Sequence, residues 1–248
     1  MIRRISKQFA DYPWFALAVE FVVVVVGVLL ALQVDVWADR RADRELEQAY
    51  LMRLVEDLEL EDSRMADAAR FAESRLQAAE LLESIASGEG PPDHSRARLV
   101  WAVETVTWRS FPQINAFVWG ELQSTGRLSL IRSEALRRTV AEHYTALEHD
   151  SRVGEDLSAQ HSFERGIAGV LTLEEQVAVE SAAGGDTGLP DDRARALAIV
   201  TAVRGRPQAL RELPNIAQHH VFNLRVISEM RARGRRIIEL ATAQLRGP

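Results

Sequence analysis

Residues 20–58 read EFVVVVVGVLLALQVDVWADRRADRELEQAYLMRLVEDL. An apolar run passes into a charged, helix-favouring run with no proline between them, so the two can form one continuous helix. From Trp14 to Leu32 every residue except Glu20 is apolar or glycine. A membrane-spanning helix needs about 20 mostly apolar residues. The uninterrupted run from Phe21 to Leu32 is shorter and alone matches the apolar region of a signal peptide, and Arg3, Arg4 and Lys7 supply the basic flank that either reading needs. Val36-Trp37-Ala38 offers a tolerable cleavage position, but Asp35 lies just upstream of that bond. Trp14 and Trp37 bracket the segment as an interfacial aromatic pair. Their spacing corresponds to about 34 Å of helix, a bilayer core plus its interface. The expectation is an uncleaved anchor, with a short basic tail over 1–13 and a transmembrane helix over 14–37.

Orientation rests on the flanks. Arg3, Arg4 and Lys7 precede the span, and Arg40, Arg41 and Arg44 follow it, so the basic counts tie. Positions 35–39 carry Asp35 and Asp39 and no base, which favours a cytoplasmic N-terminus and an extracytoplasmic domain. One face of the span, at steps of three and four, carries Ala16, Glu20, Val24, Gly27, Ala31 and Val34. Gly27 and Ala31 form a small-xxx-small pair that lets helix backbones approach closely. Two readings of Glu20 stand beside each other. It snorkels to the headgroups near the edge of the span, or it faces a partner helix and hydrogen-bonds there.

The chain has 248 residues, which leaves roughly 200 after the span, enough for one domain with its own core. Hydrophobic residues make up 47% and aromatics 6%, with Ala, Leu, Val, Arg and Glu abundant, a balance that favours helix over sheet. The net charge of −6 gives no general nucleic-acid footprint. No cysteine is present, so disulfides, thiolate catalysis and cysteine-ligated zinc are excluded.

Residues 38 to about 87 read as one long helix, beginning with a charged stalk over 38–50. Leu51, Leu54, Val55, Leu58, Met65, Ala69, Ala72, Leu76, Ala79 and Leu82 recur at helical spacing. The stripe lapses over 59–64, where Glu56, Asp57, Glu59, Glu61 and Asp62 form an acidic band read as a solvated face. A Gly-Pro-Pro break within a loop over 87–94 ends this helix. A second helix is expected from Ser95 to about Trp108, with Leu99, Val103 and Val106 inward. After Pro112 a short helix carries Ile114, Phe117, Val118 and Leu122. Trp101, Trp108, Phe111, Phe117 and Trp119 read as core anchors ahead of an aromatic ligand pocket.

Ser133 is an N-cap with Glu134 in the first turn. The helix that follows aligns Leu136, Val140, Tyr144 and Leu147, with His143 beside that face, and runs to about Ser181 with interruptions at Gly154, Gly166 and Gly169. A loop over 181–192 precedes helices over 191–203 and 215–245, the last with Ile216, Val221, Leu224, Ile227, Met230, Ile237, Leu240 and Ala241 inward. The reading is all-α: an N-terminal transmembrane helix continues into a long helix of an antiparallel helical bundle over 38–248.

AVEFVVVVVGVLLALQVDVWADRRADRELEQAYLMRLVEDL resembles the start of a family of bacterial single-pass membrane proteins with no assigned activity. The matching residues are Glu20, Gly27, Ala31, Leu32, Gln33, Asp35 and Trp37, then Tyr50, Leu51, Leu54, Asp57 and Leu58. Val19 stands where that pattern more often has glycine. ELQSTGRLSLIRSEALRRTVAEHY is similar to a later segment of the same family. Together the two patches cover under a third of the chain. The resemblance implies a protein anchored in the bacterial inner membrane and no particular chemistry.

His94, His143, His149, His161, His219 and His220 form no His-Glu-x-x-His or Glu-x-x-His motif, so they read as ordinary surface or core histidines. Phosphate-loop, dinucleotide and nucleophile-elbow motifs are absent from the sequence. Arg225, Arg231, Arg233, Arg235 and Arg236 read as a solvated face pairing with acidic residues, ahead of a lipid contact. The sequence therefore predicts no catalytic, cofactor or metal site. It predicts a membrane-anchored interaction module, whose partners are the lipid bilayer and itself or another membrane protein, joined through Ala16, Glu20, Val24, Gly27 and Ala31. The alternative is an accessory subunit of a transport or proton-driven complex that uses Glu20, and a membrane-bound enzyme ranks below both.

Overall fold

The computed structural model describes residues 13–88, 95–109, 116–153, 157–182 and 187–247, and the side chains of 14, 17–88, 95–109, 116–147, 157–182 and 187–247. The tail with Arg3, Arg4 and Lys7, the side chains of Ala16 and His149, and His94, Phe111, Pro112, Ile114 and Gly154 lie outside these. Among the described residues the secondary structure is helical throughout.

The spine is an antiparallel pair. Helix α1 runs from Pro13 to Ser87 and helix α9 from Leu213 to Arg246. Gln244 meets Glu47 and Arg231 meets Asp62, so α9 descends alongside α1 towards its apolar N-terminal half. The buried stripe of α1 is Glu47, Leu51, Leu54, Leu58, Glu61, Met65, Ala68, Ala72, Arg75, Ala79 and Leu82. Those positions alternate steps of four and three without a break. On α9 the buried positions Leu213, Ile216, His220, Asn223, Ile227, Met230, Gly234, Ile237 and Ala241 do the same. Such an average of 3.5 residues per turn keeps two seams facing each other over many turns.

The remaining helices fill two cores along this spine. Nearer the span, α3 (Phe117–Ser124), a 3-10 turn (Arg127–Leu130) and α4 (Glu134–Val153) bring Val118, Leu122, Leu136 and Val140 onto Leu51–Met65 and the C-terminal half of α9. Farther away, α2 (Arg96–Thr105), α5 (Ser158–Ile167), α6 (Leu173–Ser181), α7 (Arg193–Arg204) and α8 (Pro207–Leu210) enclose Ala79, Leu82 and Ile85. Leu99, Val103, Phe163, Ile199 and Ile216 complete that second core.

Local chemistry sets the ends. Ser95 caps α2 and Asp192 caps α7, each side chain accepting a backbone N–H three residues on. Thr172 and Glu175 form a capping box that starts α6. The long helix expected from 133 to 181 is three helices. Gly169, at φ 79°, takes the chain out of α5 in a conformation that glycine adopts without strain. Gly166 does not interrupt α5, because it sits inside it against Ala209. The stripe of α1 also differs from the expected one: Val55, Ala69 and Leu76 are only partly buried, while Glu61, Ala68 and Arg75 point inward.

Candidate functional site

Two regions carry polar or exposed features that a plain bundle does not need. The first is the apolar half of α1. From Leu17 to Arg44 every side chain is exposed, including Glu20, Val24, Gly27 and Ala31, and the bundle covers none of this surface. Trp14 and Trp37 are 64% and 57% exposed, so both rings present surface that an interface could cover. The guanidinium of Arg41 lies 5.9 Å from the Trp37 ring centroid. Among the described residues this is the one helix long and apolar enough to cross a membrane. By length and composition, a single span and a signal segment both fit it.

The second region is the line of polar residues inside the spine. Glu47, Glu61 and Arg75 occupy seam positions fourteen residues apart and are 1%, 7% and 7% exposed. Glu47 accepts hydrogen bonds from the Arg132 backbone N–H and Nε, both at 2.6 Å, and from Gln244 Nε2 at 2.5 Å. It ties the chain just before α4 and the end of α9 to α1 within the expected stalk over 38–50, whose last residues are thus packed against the bundle. Glu61 Oε1 lies 2.8 Å from His143 Nε2 on α4, and His143 is fully buried. A neutral His143 donates through Nε2, which leaves Nδ1 as an acceptor, and that atom has no hydrogen-bond partner.

The acidic band is therefore used more than a solvated face would be. Glu56 and Glu59 are exposed, but Glu61 is buried, and Asp57 accepts the Val118 backbone N–H at 3.3 Å. Asp62 takes both Arg231 Nε and Nη2, at 2.8 and 3.1 Å, with Arg235 beside it. The Arg231 hydrogen bonds hold the Asp62 carboxyl below its usual range. The basic stretch of α9 thus pairs in part with acids of α1. An open groove of about 420 Å³ lies beside this pair, between Ala69 and Glu73 of α1 and Leu224 and Ser228 of α9.

In the far core Glu175 is buried beneath Arg195 and Arg96, with bonds of 2.6 to 2.9 Å. The Arg195 hydrogen bond, ahead of the Thr172 backbone and Arg96, pulls its carboxyl down to about 2. This bridge joins α2, α6 and α7. The aromatics divide between the cores. Trp119 stacks on Tyr144 at 5.4 Å, Trp101 and Trp108 meet at 6.4 Å on the other core, and Phe117 is 70% exposed. The three tryptophans therefore belong to two separate cores, while Phe117, expected as a core anchor, belongs to neither.

His161 is exposed, and His219 and His220 lie where α9 passes the end of α2. Among the described residues no group of three or more histidine and carboxylate side chains could hold a metal ion. Sequence reading missed Glu61 and Arg75 as seam residues because both are charged. The available signal was the unbroken step of three and four, read through the charges, with Glu47, Glu61 and Arg75 recurring every fourteenth residue. No family model, curated relative or solved structure matches the chain.

Proposed function

We propose that the protein is a membrane-anchored helical interaction module. One observation carries this reading: a single helix, Pro13–Ser87, has a wholly exposed apolar half and a half that is the spine of a folded bundle. A water-soluble chain gains nothing from leaving that much apolar surface uncovered, whereas lipid covers it without further structure. In this reading the span stays in the bacterial inner membrane, the N-terminus is cytoplasmic and the bundle lies outside. The span self-associates, or binds another membrane protein, along Ala16, Glu20, Val24, Gly27 and Ala31. The likeness of residues 18–58 to anchored single-pass proteins supports the same reading.

Crosslinking, or energy transfer between labelled spans in membranes, tests it. A Cβ added at Gly27 meets nothing within 4 Å in the single chain, so a change there reports association and not folding. Gly27→Leu is expected to weaken association by holding the backbones apart. Glu20→Leu removes an intramembrane hydrogen bond and costs about 0.6 to 2 kcal/mol, roughly a three- to thirtyfold change in the equilibrium constant. Glu20→Gln preserves association, and Val23→Leu, off the seam, is the control. If Gly27→Leu and Glu20→Leu both behave like Val23→Leu, the seam is no interface. Alkaline phosphatase fused after Pro248 is expected to be active, and a silent fusion reverses the orientation.

A further inference from the structure

The third polar residue of the α1 seam is unlike the other two. Glu47 and Glu61 have hydrogen-bond partners, but Arg75, only 7% exposed, has Nε and Nη1 buried with none. Its guanidinium rests 5.2 Å from the Phe71 ring centroid, one turn back, and Trp101 Nε1 bonds Ser74 beside it at 3.4 Å. Arginine keeps its proton even when buried, so it cannot escape the cost of desolvation by neutralising.

The groups around Arg75 add to the imbalance. His220 of α9, 1% exposed, gives its Nε2 proton to the Val106 carbonyl at 2.8 Å, at the end of α2. His219 carries a buried Nε2 with no partner, and its ring lies 6.1 Å from that of His220. Burial lowers the pKa of both histidines, and Arg109 lowers both further, as Arg75 does for His220. Among the described residues no carboxylate contributes to the shift at Arg75, His219 or His220. The nearby acids are engaged or turned away: Glu104 takes Gln176, and Glu73 and Glu80 are exposed. Helices α1 and α9 and the chain just after α2 thus bring cations and unused polar atoms to one level of the spine, between the two apolar cores, and the described residues supply no anion there. At Glu47, Glu61 and Glu175 every buried charge is met by a donor from another element.

We propose that this level is a binding site for a small oxyanion, a phosphate or carboxylate group, taken up by the Arg75 guanidinium with His219 and Arg109 beside it. An oxyanion accepts the idle Nε–H together with the adjacent Nη2–H, one forked edge of the guanidinium, or the idle Nη1–H with Nη2–H on the other edge. It also supplies the missing counter-charge. Along α1, Arg75 lies about 57 Å beyond Trp37, at about 1.5 Å per residue. Lipid headgroups beside the span do not reach it, so the ligand is a solute. The inference does not depend on what the span binds.

The full-length chain in detergent micelles is unfolded thermally in inorganic phosphate, in acetate and in chloride at matched ionic strength. Phosphate or acetate is expected to raise Tm saturably over chloride, by roughly 5 to 10 °C at about 100 times the dissociation constant. The anion that saturates at lower concentration identifies the ligand as phosphate or carboxylate. Arg75→Met removes the cause, so it is expected to melt in chloride at or above the wild-type temperature and to lose the anion-dependent rise. Should that variant fail to fold, Arg109→Gln decides, because Arg109 is exposed. It is expected to keep the Tm in chloride and to need severalfold more anion for half the rise. The proposal is overturned if neither anion gives a saturable rise over chloride. It is overturned equally if the rise persists unchanged in Arg75→Met, or in Arg109→Gln where the first variant does not fold.

Discussion

At Glu61 the spine turns a carboxylate inward, and His143 meets it at 2.8 Å with no water-accessible surface of its own. Removing one member of such a pair leaves the other buried without its partner, which costs about 3 to 5 kcal/mol. Replacing both by apolar groups removes that penalty. His143→Phe alone is therefore expected to lower stability by about 3 to 5 kcal/mol, and Glu61→Leu with His143→Phe to recover most of it. Denaturant unfolding of these two variants, of Glu61→Leu alone and of the unaltered chain gives the coupling. Additive losses would mean that the two side chains do not depend on each other. Glu47 behaves differently, because its three donors come from two residues, Arg132 and Gln244, so no single partner's removal leaves it bare.

Helix contacts decide what a glycine is for. Both Gly166 and Gly234 lie inside helices, where alanine is intrinsically better by about 0.5 to 1 kcal/mol. A Cβ on Gly166 would stand 2.6 Å from the Ala209 Cβ and 3.3 Å from its Cα, so α5 and α8 would have to separate. A Cβ on Gly234 would meet His143 Cε1 and Leu58 Cδ2 at 3.9 Å each, an ordinary contact. Gly166→Ala is expected to destabilise by about 1 to 3 kcal/mol through overpacking, and Gly234→Ala to be neutral or to stabilise by up to about 1 kcal/mol. Thermal unfolding of the two variants side by side reads the difference. Equal effects at the two sites would mean that α5 and α8 do not approach as closely as Gly166 allows.

Across the whole molecule, acid acts on both ends of the bundle. Burial holds His219 at about 4, below its ordinary 6.5, and lowers His220 as well. Hydrogen bonds from arginine hold Glu175 at about 2 and depress Asp62. In each case the unfolded chain binds protons that the folded chain refuses, so stability rises with pH across the gap. The histidine contribution is complete above about pH 6.5 and is lost as pH falls towards 4. The carboxylate contribution is complete above about pH 4.5 and is lost as pH falls towards 2. Tm in chloride is expected to fall in two stages over these ranges. His219→Phe is expected to flatten the upper stage and Arg195→Met the lower one, and a profile unchanged by both would show that other groups set the acid response.

The sequence by itself determined the helical class, the long apolar segment with Trp14 and Trp37 at its ends, and many helix ends, because these depend on local composition, periodicity and capping. Ser95, Ser133 and Gly169 act on neighbours within a few residues, and so they are legible one at a time. The step of three and four on α1 reaches Glu61 and Arg75, but only the tertiary structure decided that the seam runs through these charges and what meets them there. Glu61 and Arg75 look like solvated residues in the sequence, and it is the α9 seam, more than 140 residues away in the chain, that makes their positions interior. Burial of a charge depends on a partner from another element, and no local pattern on α1 records where His143, Gln244 or His220 will come to rest.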